Sequence, residues 1–177
     1  NTVYFQIDES NKAPRRTLEM ISELLRYQLY GGNQKVSILQ EIDYLKTYIA
    51  LRKLRMSERL RLRVEFPPEL NELEIYPLLF LPLVENAFKY VGGDYQLDII
   101  MKWENNRISL FIRNSIPELS AEDEALRKSV DERQRKGIGL VNLRRRLSLL
   151  YPNKHRLETR KEETEFVAEL MIEIEDI

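Results

Sequence analysis

Pro82-Leu83-Val84-Glu85-Asn86-Ala87-Phe88-Lys89-Tyr90 is the stretch on which the fold turns. It follows an apolar run, Leu78 to Leu81, and reads as the continuation of one buried helix. Three polar side chains, Glu85, Asn86 and Lys89, interrupt that apolar setting. Burying a polar group without a partner costs about 1–3 kcal/mol, so each requires a partner or an opening. Asn86 and Lys89 share a helix face at i and i+3, and Glu85 and Lys89 at i and i+4. A carboxamide oxygen suits magnesium, which binds through few protein oxygens together with waters and phosphates. An ammonium beside it suits phosphate. The stretch therefore reads as one wall of a magnesium-nucleotide pocket. The alternative is a Glu85–Lys89 ion pair on a helix surface with Asn86 as a local cap.

Working outward, the composition sets bounds. The chain has 177 residues, 43% apolar and 32% charged, enough for one full core and a small appendage. Its net charge of −1 lacks the basic surplus of a nucleic-acid binder, and no nucleic-acid partner is expected. Cysteine is absent, which excludes disulfides and thiolate metal sites. His155 is the only histidine, which excludes a multi-histidine metal site within one chain. No apolar run approaches the ~20 residues of a membrane span, and no signal-peptide pattern is visible.

Upstream of the central stretch, Asp8 to Pro14 is polar and breaks the pattern. Leu18, Ile21, Leu25 and Leu29 then repeat at helical spacing, with Met20, Leu24 and Tyr27 widening the stripe. Gly31-Gly32-Asn33 is a stop signal and reads as a hinge between two units. Val36 to Ile38 suits a short strand. Ser37 with Gln40 resembles a capping box for a following helix whose one face is Ile38, Ile42, Leu45, Ile49 and Met56. Leu60, Leu62, Val64 and Phe66 alternate with charged residues as a half-buried strand does, and Pro67-Pro68 ends it. The arginines between Arg52 and Arg63 read either as a solvated helix end and strand face or as a phosphate patch.

Downstream, Val91-Gly92-Gly93-Asp94 turns the chain. Leu97 to Trp103 and Ile108 to Ile112 alternate on either side of Asn105-Asn106, the signature of a tight hairpin. From Pro117 to Lys136 the periodicity fails, as in lids and disordered loops, with a weak helix at most over Ser120 to Val130. Gly137-Ile138-Gly139-Leu140 then opens a helix marked by Leu143, Leu147 and Leu150. Free N–H groups and the helix dipole at such a start favour an anion, although a plain helix start is the more common explanation of such a turn. The turn is neither a Walker loop nor a Rossmann fingerprint. Arg144, Arg145 and Arg146 point in different directions around that helix and cannot all face one ligand. Tyr151-Pro152 ends it. A last hairpin spans Arg156 to Lys161 and Glu165 to Ile174, with Phe166, Ala168, Leu170, Ile172 and Ile174 on one face. A lone turn histidine such as His155 reads as structural or solvated.

Taken in order, these parts resemble the ATP-binding domain of the GHKL superfamily and, within it, the LytS-like sensor histidine kinases. Pro77 to Lys89 resembles the N box, usually Pro-Leu-Val-Glu-Asn-Ala-x-Lys-His. Gly137 to Pro152 resembles the second glycine box and the helix that follows it. Leu24 to Tyr27 and Tyr48 to Arg55 resemble the helices upstream of the N box. The resemblance implies an α+β fold: a two-layer α/β sandwich of the Bergerat type, a mixed sheet with helices on one face. It implies residues 1–32 as the remnant of a helical dimerisation and histidine-phosphotransfer region, and 36–177 as the catalytic ATP-binding domain.

It also implies roles. Asn86 would coordinate magnesium bridging the triphosphate of ATP, Lys89 would contact phosphate, and Glu85 would orient or polarise groups near the γ-phosphate. Tyr90 would line the nucleotide site. Gly137, Ile138, Gly139 and Leu140 would wrap the phosphates, and Thr164 would sit near adenine. Asn114 falls where the first glycine box has its adenine-reading Asp. The implied activity is protein-histidine kinase, acting on a histidine upstream of Asn1, so this chain alone is expected not to autophosphorylate. The implied partners are a second copy in the full-length protein and a response regulator, with the LytTR type as one candidate. The implied location is the cytoplasmic side of an inner-membrane sensor, attached only through upstream segments.

Three departures from the pattern stand out. Asn114-Ser115-Ile116-Pro117 replaces Asp-x-Gly-x-Gly; an Asn oxygen still accepts from an adenine amino group, but without charge and so more weakly. The missing glycines reduce backbone freedom where the lid starts. Tyr90 replaces the usual histidine, and Leu81 a usual polar residue. These departures open a second reading, a degenerate module that no longer uses ATP and acts by protein–protein interaction. A chaperone or topoisomerase fragment of the same superfamily is a third, opposed by the upstream helices and the short lid.

Overall fold

The computed structural model describes residues 7–8, 10–30, 34–68, 70, 73–118 and 138–174. The expected hinge at Gly31 to Asn33, the lid between 119 and 136 with its weak helix, and Gly137 lie outside the described residues. In chain order the elements are α1 (Lys12–Tyr30), β1 (Val36–Ser37), α2 (Ile38–Lys53), β2 (Arg61–Glu65), β3 (Glu74–Ile75), α3 (Leu81–Tyr90), β4 (Gln96–Glu104), β5 (Arg107–Ser115), α4 (Ile138–Leu150), β6 (His155–Lys161) and β7 (Glu165–Glu173). They fall into two compact units, Asn1–Ser57 with Asn71–Leu78, and Glu58–Leu70 with Leu79–Ile177.

In the first unit α1 begins at Lys12, inside the polar stretch expected to break the pattern. Pro14 stands in its first turn, where a missing N–H and a fixed φ are tolerated. Arg15 donates to the Ile7 carbonyl at 2.7 Å just ahead of it. The apolar stripe on α1 is only partly buried: Leu24 is enclosed, whereas Leu25 and Leu29 are 53% and 81% exposed. The capping box at α2 is formed on both sides. Ser37 Oγ accepts from the Leu39 N–H at 3.3 Å, and Gln40 Oε1 accepts from the Ser37 N–H at 3.3 Å. Ile38, Ile42, Leu45 and Ile49 form the buried face of α2 as the spacing predicts. Met56, expected on that face, lies past the helix end at Lys53. β1 pairs antiparallel with β3, Val36 opposite Ile75.

The second unit is built on a five-stranded sheet of order β2-β4-β5-β7-β6. β2 runs parallel to β4; every other pairing is antiparallel. Asn105 and Asn106 close the β4–β5 hairpin with φ of 51° and 59°, the left-handed pair that a two-residue hairpin turn requires. Because side chains alternate along a strand, one face gathers Leu97, Ile99 and Met101 with Ile108, Leu110, Ile112, Ala168, Leu170 and Ile172, all buried. α3 packs on β4 and β5, and α4 on β6 and on α3. The result is the mixed α+β fold expected. On the other face Asp98 is buried and accepts from Arg113 at 2.7 and 3.0 Å. Hydrogen bonding to Asp98 pushes the Arg113 pKa above its ordinary value.

The central helix corrects one expectation. Leu78 to Leu81 do not belong to a continuous helix; α3 starts at Leu81. Leu78 has φ 59°, a left-handed conformation that no α-helix can run through. Pro82 then occupies the first turn of α3, where its geometry favours a helix start.

Candidate functional site

α3 buries Leu81, Leu83, Val84, Ala87 and Phe88 and turns its polar residues the other way. Glu85 and Lys89 are exposed, and Asn86 and Tyr90 half-buried. The Lys89 Nζ lies over the Tyr90 ring, 4.9 Å from its centroid, so an aromatic face takes up part of the cation's environment. The chain leaves α3 through Val91 and the two glycines. The Gly92 N–H donates to the Ser115 carbonyl at 3.0 Å. Ser115 Oγ donates to the Gly92 carbonyl at 2.6 Å and accepts from the Gln96 N–H at 2.9 Å. The end of β5 is thereby tied to the loop that follows α3.

Asn114 stands at that tied end and is only 1% exposed. Its Nδ2 donates to the Ser115 carbonyl at 3.2 Å, and its buried Oδ1 has no hydrogen-bond partner among the described residues. Buried polar atoms are nearly always paired, so this acceptor is an exception that calls for a donor. Beyond Ser115 the backbone is closely seated. A Cβ at Gly92 would come 2.9 Å from Pro117 Cδ, and Gly93 takes φ +60° against the Ile116 carbonyl. The Ile116 N–H donates to the Thr164 carbonyl at 2.8 Å. Thr164 thus meets this segment through its backbone, with its side chain exposed.

Asn114 and Thr164 are therefore brought together with the loop after α3. α3, which carries Glu85, Asn86, Lys89 and Tyr90, lies against α4, which starts with Ile138, Gly139 and Leu140. Gly139 is exposed in the first turn of α4, and Leu140 is half-buried. Ser115 escapes sequence reasoning because no spacing marks it. The adjacent glycines were visible as a turn, though not as the seat of Pro117. Among the described residues no group of three or more His, Asp or Glu side chains is arranged to hold a metal ion. No helix among them is long and apolar enough to cross a membrane.

The five-stranded mixed sheet with α3 and α4 on one face is the fold of histidine kinase catalytic domains. It superposes on the nucleotide-free catalytic domain of histidine kinase ThkA with a TM-score of 0.53 at 18% identity, covering 79% of this chain and 94% of that one. It superposes on full-length ShkA in complex with AMPPNP with a TM-score of 0.52 at 12% identity, covering 89% of this chain and 35% of that one.

Sequence comparison relates the chain to sensor histidine kinases. Residues 1–60 match the family model described as histidine kinase. Over 161 residues the chain is 27% identical to sensor protein kinase HptS of Staphylococcus aureus (strain USA300), covering 88% of this chain and 31% of that protein. The chain thus spans about a third of the length of the curated relatives it matches, 31%.

Proposed function

We propose that this chain is the ATP-binding catalytic part of a LytS-like sensor histidine kinase, transferring the γ-phosphoryl group of ATP to a histidine outside the 177 residues for relay to a response regulator. The observation that carries this reading is Asn114 Oδ1: a buried acceptor without a partner among the described residues, at the strand end tied to the loop after α3. Its orientation suits an exocyclic amino group, because Nδ2 is already committed to the Ser115 carbonyl and the oxygen is left to accept. ShkA, of the same fold, was solved with AMPPNP.

On this reading Asn86 would hold magnesium together with the nucleotide's own phosphates, in keeping with the few protein oxygens that ion takes. Lys89 would leave the Tyr90 ring to meet phosphate, and Glu85 would orient groups near the γ-phosphate. Gly137, Ile138, Gly139 and Leu140 would offer backbone N–H groups at the start of α4, where the dipole favours an anion. Magnesium, when bound, would supply charge neutralisation, and the protein would supply position, which is most of what phosphoryl transfer asks of it. We place the dimerising role on residues 1–32 and the catalytic role on 36–177. The response regulator, of the LytTR type or another, and the cytoplasmic setting below an inner membrane belong to the same proposal.

A second reading, a module that no longer uses ATP, is favoured by one observation. Pro117 is wedged on Gly92 where the family pattern has glycine freedom. Calorimetric titration of the chain with magnesium and ATP separates the two. Saturable binding that Asn86→Ala removes supports the kinase reading, and a flat titration at millimolar nucleotide supports the degenerate module.

A further inference from the structure

Glu41 lies in the first turn of α2, among Ile38, Ile42 and Leu45, and is completely buried. Its Oε2 accepts two hydrogen bonds, from the Tyr27 hydroxyl at 2.7 Å and from the Leu78 N–H at 2.9 Å. Tyr27 belongs to α1. Its ring stacks on Tyr44 of α2 with centroids 4.7 Å apart, and the neighbouring Gln28 donates to the Tyr44 hydroxyl at 2.7 Å. Burial, and then the charge of Glu41, raise the Tyr27 pKa, which keeps the hydroxyl protonated as a donor. Leu78 is the residue held in the left-handed region at φ 59°, a conformation a leucine rarely adopts unless its surroundings impose it. It closes the first unit, and the next residue in the chain, Leu79, leads directly to α3.

We propose that Glu41 is a latch through which the position of α1 sets the conformation of the turn that starts α3. One oxygen serves both partners. A shift of α1 that withdraws the Tyr27 hydroxyl removes one of the bonds that fix the carboxyl group, and the strained Leu78 N–H then loses a fixed acceptor. The freed turn relaxes toward an unstrained φ and changes the first turn of α3, where Leu83 and Val84 donate to the Phe80 carbonyl. Glu41 and Tyr27 act here as positioning residues. Neither is assigned contact with nucleotide.

Amide hydrogen exchange on the nucleotide-free 177-residue chain tests the latch directly. Tyr27→Phe keeps the ring stack and deletes only the hydroxyl. It is expected to speed exchange at Leu78, Leu83 and Val84 about tenfold, the loss of roughly one hydrogen bond, while the β5 and β7 amides keep their rates. Adding Leu78→Gly, which takes the same φ without strain, is expected to return Leu83 and Val84 to the slower rate. Glu41→Met, similar in length but with no acceptor oxygen, is expected to speed exchange at Leu78 in the same way and provides the test if Tyr27→Phe does not fold. Unchanged exchange at Leu78 in a folded variant would overturn the latch.

The consequence for binding rests on the kinase reading above. Tyr27→Phe is expected to shift the affinity for magnesium-ATP about fivefold, and equal affinity beside faster exchange would overturn the coupling to α3. A wild-type chain that takes up no nucleotide would remove the kinase reading, and the exchange rates would still decide the latch.

Discussion

Asn114 and Glu41 are both buried polar groups, and they differ in how they are satisfied. Glu41 spends its Oε2 on two donors inside the protein. Asn114 leaves its buried Oδ1 without a partner among the described residues, as a binding residue without its ligand would. Asn114→Asp is therefore expected to act in opposite directions on stability and binding. Without ligand, a buried carboxylate lacking a donor lowers stability in chemical denaturation. With magnesium-ATP, a charge-assisted bond replaces a neutral one, and calorimetry is expected to show affinity tighter by roughly fivefold. Neither residue is legible from spacing. Glu41 sits at a position where the α2 pattern shows an ordinary helical charge. Asn114 was singled out only by resemblance to the glycine box, since the alternation of β5 does not say that its last residues stay buried.

At the level of elements, the hairpins and the capped start of α2 are readable because their signals are local. Asn105-Asn106 supplies the left-handed turn, the strands alternate with period two, and Ser37 with Gln40 caps the helix that follows. The start of α3 is not local. Leu78 to Leu81 is apolar in either conformation, and hydrophobicity reports burial without fixing φ. There the Leu78 N–H bonds a carboxyl group on α2, a partner distant in sequence. The junction of β5 with the loop after α3 depends in the same way on one side chain. Ser115→Ala removes the bond to the Gly92 carbonyl and the acceptor of the Gln96 N–H. It is expected to cost about 1–3 kcal/mol in urea denaturation.

For the molecule as a whole, the two compact units each carry a buried core of their own, around Leu45 and Ile75 in one and around Ile99 and Leu110 in the other. Trp103, the chain's only tryptophan, lies on β4 in the second unit and reports on that unit alone. Ser37→Ala removes the cap of α2 and is expected to destabilise the first unit by ~1 kcal/mol. The midpoint of helical circular dichroism should fall, while the Trp103 fluorescence transition keeps its place. The division itself was not readable at these boundaries, because Asn71–Leu78 joins the first unit through pairing with a distant strand. The parallel partnership of β2 with β4 is distant too, and sequence patterns say nothing of which strand lies beside which.

That strand order leaves β2 and β6 at the margins of the sheet. An unpaired margin is an invitation to intermolecular strand addition, the first step toward aggregates. Here Arg61, Arg63 and Glu65 project from one margin and Arg156, Glu158 and Arg160 from the other, all well hydrated. Arg63 bonds Glu65 and Arg156 bonds Glu158 along their own strands, at 2.7 Å each. Charges held this way make a second backbone an unfavourable neighbour at either margin.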